Sequence, residues 1–149
     1  MKKLLTMMMF GALLTVFGLS AGALDKAWFT DYKKAEAVAK EKKLPILALF
    51  TGSDWCPYCI KLEKEVLKTP AFKKATDGKF VLLYLDFPRK KELPAALARQ
   101  NKELYGKYGV QGYPTTVILN ADGKVLGRIG GYAPAKAWFK QLDDIVKAK

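Results

Sequence analysis

The chain has 149 residues, half of them apolar, which suffices for one domain with a packed core and is short for two. Its formal charge is +12, but the basic residues are scattered and the densest knot, Arg89-Lys90-Lys91, is short, so nucleic acid is not expected as a partner. With two cysteines and no histidine, the chain can build neither a Cys/His metal cluster nor a Ser-His-Asp triad nor a Cys-His dyad, and no metal or other cofactor is expected.

Residues 1–23 have the layout of a secretory signal peptide: Lys2-Lys3, an apolar run from Leu4 to Leu19, then the small residues Ser20-Ala21-Gly22-Ala23. An uncleaved membrane anchor is the competing reading, because residues 4–24 nearly match a bilayer in length. Cleavage after Ala23 is favoured by the well-formed small-residue end. The expected mature domain is therefore 24–149, outside the cytosol and in the periplasm, with no stable membrane span once the leader is removed.

From Asp25 to Lys43, the apolar positions Trp28, Tyr32, Ala35, Val38 and Ala39 recur at helical spacing. Leu44-Pro45 ends that helix. Ile46–Phe50 is a continuous apolar run of strand length, suited to burial on both faces. Thr51-Gly52-Ser53-Asp54 forms a turn, and a second helix starts around Cys56 and runs through Leu67 until Thr69-Pro70 breaks it. Phe80–Phe87 is another buried strand, stopped by Pro88. A third helix covers Leu93 to Tyr108, with Leu97, Leu104, Tyr105 and Tyr108 on its inner stripe, and Gly109 ends it. Thr115–Leu119 and Lys124–Ile129 flank the Asp122-Gly123 hairpin turn. Gly130-Gly131 makes a loop before a last helix from Pro134 to about Lys147. The order α-β-α-β-α-β-β-α implies parallel crossovers first and an antiparallel hairpin last: an α/β fold with a central mixed sheet and helices on both faces.

The chemistry lies in Trp55-Cys56-Pro57-Tyr58-Cys59. A structural disulfide is one reading, but closing so short a loop constrains the unfolded chain little. Redox catalysis is the stronger reading. A helix start leaves backbone N–H groups without partners and carries partial positive charge, so a thiolate at Cys56 is stabilised below the free-thiol pKa of about 8.5. Cys59, one turn on, is placed to attack the resulting mixed disulfide. Pro57 falls at the first helical position, Tyr58 shapes the surface between the sulfurs, and Trp55 offers either an apolar shelf for a substrate chain or ordinary core packing.

A second motif strengthens this reading. Tyr108 to Thr115, Tyr-Gly-Val-Gln-Gly-Tyr-Pro-Thr, together with Phe50 to Cys59, Phe-Thr-Gly-Ser-Asp-Trp-Cys-Pro-Tyr-Cys, resembles the thioredoxin superfamily. The run Thr51 to Cys56, Thr-Gly-Ser-Asp-Trp-Cys, resembles secreted thioredoxin-like proteins related to the periplasmic domain of the transmembrane disulfide reductase. The resemblance implies a thioredoxin fold and a cis Pro114 facing the cysteines. It also implies that the backbone of Tyr113 is presented to a substrate segment, with Gly130 and Gly131 lining the other side. Two features depart from the pattern: Ile46–Phe50 has no acid, and Val81–Leu85 has no lysine. Glu63 and Asp54 then stand as candidate proton acceptors for Cys59, or as plain surface charges.

The expected function is exchange of protein disulfides, more in the reducing or isomerising direction, with thiol- or disulfide-bearing proteins as substrates and a redox partner protein. Disulfide donation and a binding role with non-catalytic cysteines stay open at this point. The leader makes a prediction: mass spectrometry of the exported protein should find an N-terminus at Leu24, and one at Met1 would contradict cleavage.

Overall fold

The computed structural model describes residues 27–148, so the leader expected at 1–23 lies outside the described residues. In chain order the elements are β1 (Trp28–Phe29), α1 (Tyr32–Lys42), β2 (Ile46–Thr51), α2 (Pro57–Leu62), a π-helical turn (Glu63–Leu67) and α3 (Pro70–Thr76). They continue with β3 (Val81–Asp86), α4 (Ala95–Lys107), β4 (Thr115–Leu119), β5 (Val125–Gly130) and α5 (Ala135–Lys147). The five strands form one mixed sheet in the order β1-β3-β2-β4-β5. β2 pairs parallel with β3, and β4 pairs antiparallel with both β2 and β5.

β2 occupies the centre, and all six of its residues are buried. Side chains alternate across a strand, so β2 feeds two cores. Ile46, Ala48 and Phe50 meet Ala35 and Ala39 of α1, Leu104 of α4 and Tyr108, which caps the end of α4. Leu47 and Leu49 meet Leu62, Val66, Phe72, Trp138 and Leu142 on the opposite face. An apolar run with no polar alternation is what a strand covered on both sides requires. α5 comes close to the sheet because β5 carries Gly127, where a Cβ would lie 2.6 Å from Ile145 Cγ1.

Three expectations are corrected. Trp28 belongs to a short edge strand rather than to the first helix, because Asp31 caps that helix by accepting the Lys34 N–H, so it starts at Tyr32. Residues 70–76 form a helix of their own: Pro70 takes the first position and Thr69 caps it, so the same pair that ends one helix starts another. Gly130 is the last ladder residue of β5, paired with Thr115, and not part of a loop. The second helix starts where expected, with Cys56 as its cap and Pro57 as its first residue, and it continues through the π-helical turn to Leu67.

Trp138 is fully buried and packs on Phe72 with ring centroids 5.8 Å apart. Trp138→Ala should destabilise the fold by about 3–5 kcal/mol. Chemical denaturation measures this, and a loss under about 1 kcal/mol would show that the α5 face is not the core described.

Candidate active site

The end of β2 and the start of α2 place the two cysteines. Cys56 has extended backbone and caps α2, and Pro57 at the first helical position gives up no hydrogen bond there. The pair is disulfide-bonded, with Cα atoms 5.2 Å apart. The Cys59 N–H donates to Cys56 Sγ at 3.2 Å, and the Gly52 N–H donates to Cys59 Sγ at 3.4 Å. Both cysteines are buried, Cys56 keeping 5% of its residue surface and Cys59 2%. Beside them, Pro57 is exposed, and Tyr58 and Ile60 are 63% and 48% exposed.

Trp55 is fixed rather than free. Its indole N–H donates to the Phe87 carbonyl at 2.7 Å, and its ring meets Tyr113 edge-on at 5.7 Å. The ring also lies over Gly52, where a Cβ would come within 2.5 Å of it. Trp55 therefore packs, and it forms part of an aromatic wall next to Cys56 in the chain. Phe87, Tyr105 and Tyr113 continue that wall with centroids 5.1–5.5 Å apart, and burial pushes the Tyr113 phenol up to about 12.

The Tyr113–Pro114 peptide bond is cis. Pro114 is buried, and its carbonyl accepts the Gly131 N–H at 2.8 Å. The Trp55–Tyr113 contact brings this turn against the residue preceding Cys56. Gly131 has φ 71°, and Gly130 has open space where a Cβ would project. On the α2 side, Tyr58 stacks on Tyr132 at 6.3 Å, the Tyr132 hydroxyl donates to Glu65, and the Lys61 ammonium lies 4.6 Å from the Tyr132 ring centroid.

The acids divide by role. Glu63, one turn past Cys59, is mostly enclosed and pairs with Lys68 at 2.6 Å. Asp54 accepts the backbone N–H groups of Arg89 and Lys90 at 2.9 and 2.8 Å, so it staples the loop after β3 to the cysteine turn. Those donors, the Arg89 N–H first, hold its carboxyl below the ordinary 3.8. Sequence reasoning missed Asp86. It is a buried acid at the end of β3, not on β2, and it accepts from the Ser53 N–H at 3.0 Å and the Ser53 hydroxyl at 2.6 Å. The acid closing the otherwise apolar run Phe80–Phe87 was its visible signal. Burial first, then the charges of Asp86 and Glu63, raises the Tyr84 phenol. Arg89 was likewise passed over: its guanidinium sits 3.6 Å from the Trp55 ring centroid.

A mixed sheet with a capped Cys-X-X-Cys pair between a central strand and a covering helix defines a class, the thiol–disulfide oxidoreductases of thioredoxin fold. The comparisons agree. The profile of the thioredoxin-like domain matches residues 32–145, and the chain belongs to that family. It is 37% identical over 100 residues to the disulfide bond reductase DsbH of Chlamydia pneumoniae, covering 67% of this chain and 60% of that protein. It is 34% identical over 105 residues to the thioredoxin-related protein DsbJ of the same organism, covering 70% of this chain and 30% of that one. The chain thus spans less than two thirds of either curated relative, 60% of one and 30% of the other. Among solved structures, a DsbH oxidoreductase superposes with a TM-score of 0.73 at 30% identity, covering 95% of this chain and 96% of that one.

The staple by Asp54 gives a pH prediction. A carboxyl whose folded pKa is depressed contributes above its unfolded pKa and loses that contribution as pH falls through the folded value. Protection of the Arg89 and Lys90 amides, taken relative to the intrinsic exchange rate at each pH, should hold through neutrality and fall only below pH 3.8. Asp54→Ala should remove the protection at every pH, and protection indifferent to both changes would contradict the staple.

Proposed function

We propose that the protein exchanges disulfides with other proteins outside the cytosol, in the reducing or isomerising direction, with Cys56 as the attacking sulfur and Cys59 as the resolving one. The observation that carries this reading is the Cys59 N–H aimed at Cys56 Sγ at the start of α2, with Cys59 the slightly more enclosed of the two residues. In the dithiol form that N–H and the helix end favour thiolate at Cys56.

The Cys56 thiolate attacks one sulfur of a substrate disulfide. A Cys56–substrate bond forms, the substrate S–S bond breaks, and its other sulfur leaves as thiolate. Cys59 then loses its proton and attacks Cys56 Sγ, restoring the Cys56–Cys59 bond and releasing the second substrate sulfur. Two electrons pass from the pair to the substrate, so a redox partner protein must return them before the next cycle. If the attack by Cys59 lags, the mixed disulfide rearranges within the substrate, which is isomerisation. The negative charge of Glu63, one turn below Cys59 and fixed by Lys68, is a nearby group able to influence the proton on Cys59.

The substrate surface assigned here consists of Trp55, Pro57, Tyr58, Tyr113, Pro114, Gly130 and Gly131. Tyr113 lies two residues before Thr115, the first ladder residue of β4, which supports the reading that its backbone pairs with an extended visiting segment in the manner of an added strand. The exposed Tyr58 and the open space at Gly130 leave room for that segment. The reducing direction draws support from the absence of histidine between the cysteines, which leaves less stabilisation of the thiolate than a strong oxidant needs, and from a relative named as a reductase. The apolar leader supports export.

Reduced protein should turn over insulin disulfides, Cys56→Ser should abolish turnover, and Cys59→Ser should trap a mixed disulfide visible on non-reducing gels. Equal turnover by Cys56→Ser would end this reading, and an equilibrium potential near −120 mV, that of a strong oxidant, would reverse its direction.

A further inference from the structure

Disulfide exchange by the cysteine pair leaves Arg89 without a role. The loop that carries it is fastened to the cysteine turn at several points. Asp54 binds the Arg89 and Lys90 N–H groups and the Trp55 indole binds the Phe87 carbonyl, while Lys91 folds the loop back onto β3 by pairing with Asp86 at 3.4 Å. The guanidinium itself lies on the Trp55 ring, 3.6 Å from its centroid, and Trp55 immediately precedes Cys56.

Stacking occupies the face of a guanidinium and leaves its in-plane N–H donors free. Among the described residues, no carboxylate lies within ion-pair distance of Arg89, and its side chain donates no hydrogen bond to any of them. The neighbouring acids are engaged elsewhere: Asp54 with backbone N–H groups, Asp86 with Ser53 and Lys91. An exposed arginine held flat on an indole has already lost much of the freedom that it would otherwise lose on binding, so a fork–fork pair forms at lower entropic cost.

We infer that Arg89 is a specificity determinant of the exchange reaction, a fork that takes a carboxylate carried next to the reacting sulfur of the substrate. The chemistry is the same whether that carboxylate belongs to an acidic side chain of a protein segment or to a small thiol peptide. This inference rests on the exchange reading of Cys56 and Cys59. It adds no bond to the chemistry: the carboxylate is held while the sulfurs exchange, which lowers KM more than it alters kcat.

The test compares kcat/KM for two disulfide-bonded peptides that differ by Asp or Asn beside the cysteine, and for glutathione disulfide against its neutral ethyl ester. The wild type should prefer the charged member by about threefold to tenfold at low salt, the range between an exposed ion pair and a good bidentate one. Preference in the peptide pair alone places the carboxylate on a protein segment; preference in the glutathione pair alone places it on a small thiol. In Arg89→Gln each ratio should fall to about one. Arg89→Lys, which keeps the charge without the fork, should retain part of it. Ratios of one in the wild type, or ratios unchanged in Arg89→Gln, would overturn the inference. Loss of exchange with all four substrates would instead count against the cysteine reading.

Discussion

The contact on which the rest depends is that between the Cys59 amide and the Cys56 sulfur, 3.2 Å apart at the first turn of α2. A helix end offers N–H groups with no partner inside the helix. In the exchange proposed above, such a group is spent on the atom that must become an anion. The contact is held from below. β2 is the central strand, buried throughout and hydrogen-bonded on both sides, so the turn it feeds cannot drift. Pro57 sets the helical start without losing a donor, and Gly52 closes the turn by donating to the second sulfur.

Around that point the molecule has two unlike flanks. Toward α2 there is the exposed Tyr58 stacked on Tyr132. Toward the loop after β3 there is a fixed aromatic wall, Trp55, Phe87, Tyr105 and Tyr113, with Arg89 on its outer end. The wall links three chain segments that lie far apart in sequence, which is why the proline turn at 113–114 stands against the residue before Cys56. The acids serve this arrangement as fasteners. Asp54 and Asp86 each tie the cysteine turn to β3 or its following loop, one from each side of the gap.

Much of this was legible in the chain itself, for physical reasons. A strand buried on both faces must be apolar without alternation, and Ile46–Phe50 shows it. Asp122-Gly123 marks a hairpin because the turn needs positive φ, which Gly123 adopts at 79°. The Cys-X-X-Cys spacing and the Tyr108–Thr115 run carried the site and the family. What stayed hidden depended on partners distant in sequence. The two residues of β1 are a strand only because β3 lies beside them, and Trp28 fits a helical stripe equally well. Thr69-Pro70 reads as a stop, yet the same residues cap and start α3. Asp86 and Arg89 gain meaning only from Ser53 and Trp55, more than thirty positions away.

The central claim, that the start of α2 makes Cys56 the reactive sulfur, is open to one direct measurement: the pH dependence of iodoacetamide alkylation of the freshly reduced protein, with the modified residue identified by peptide mass mapping. Modification at Cys56 with a midpoint clearly below the free-thiol value of about 8.5, while Cys59 lags, is the predicted result. A midpoint at or above that value, or Cys59 reacting first, would contradict it.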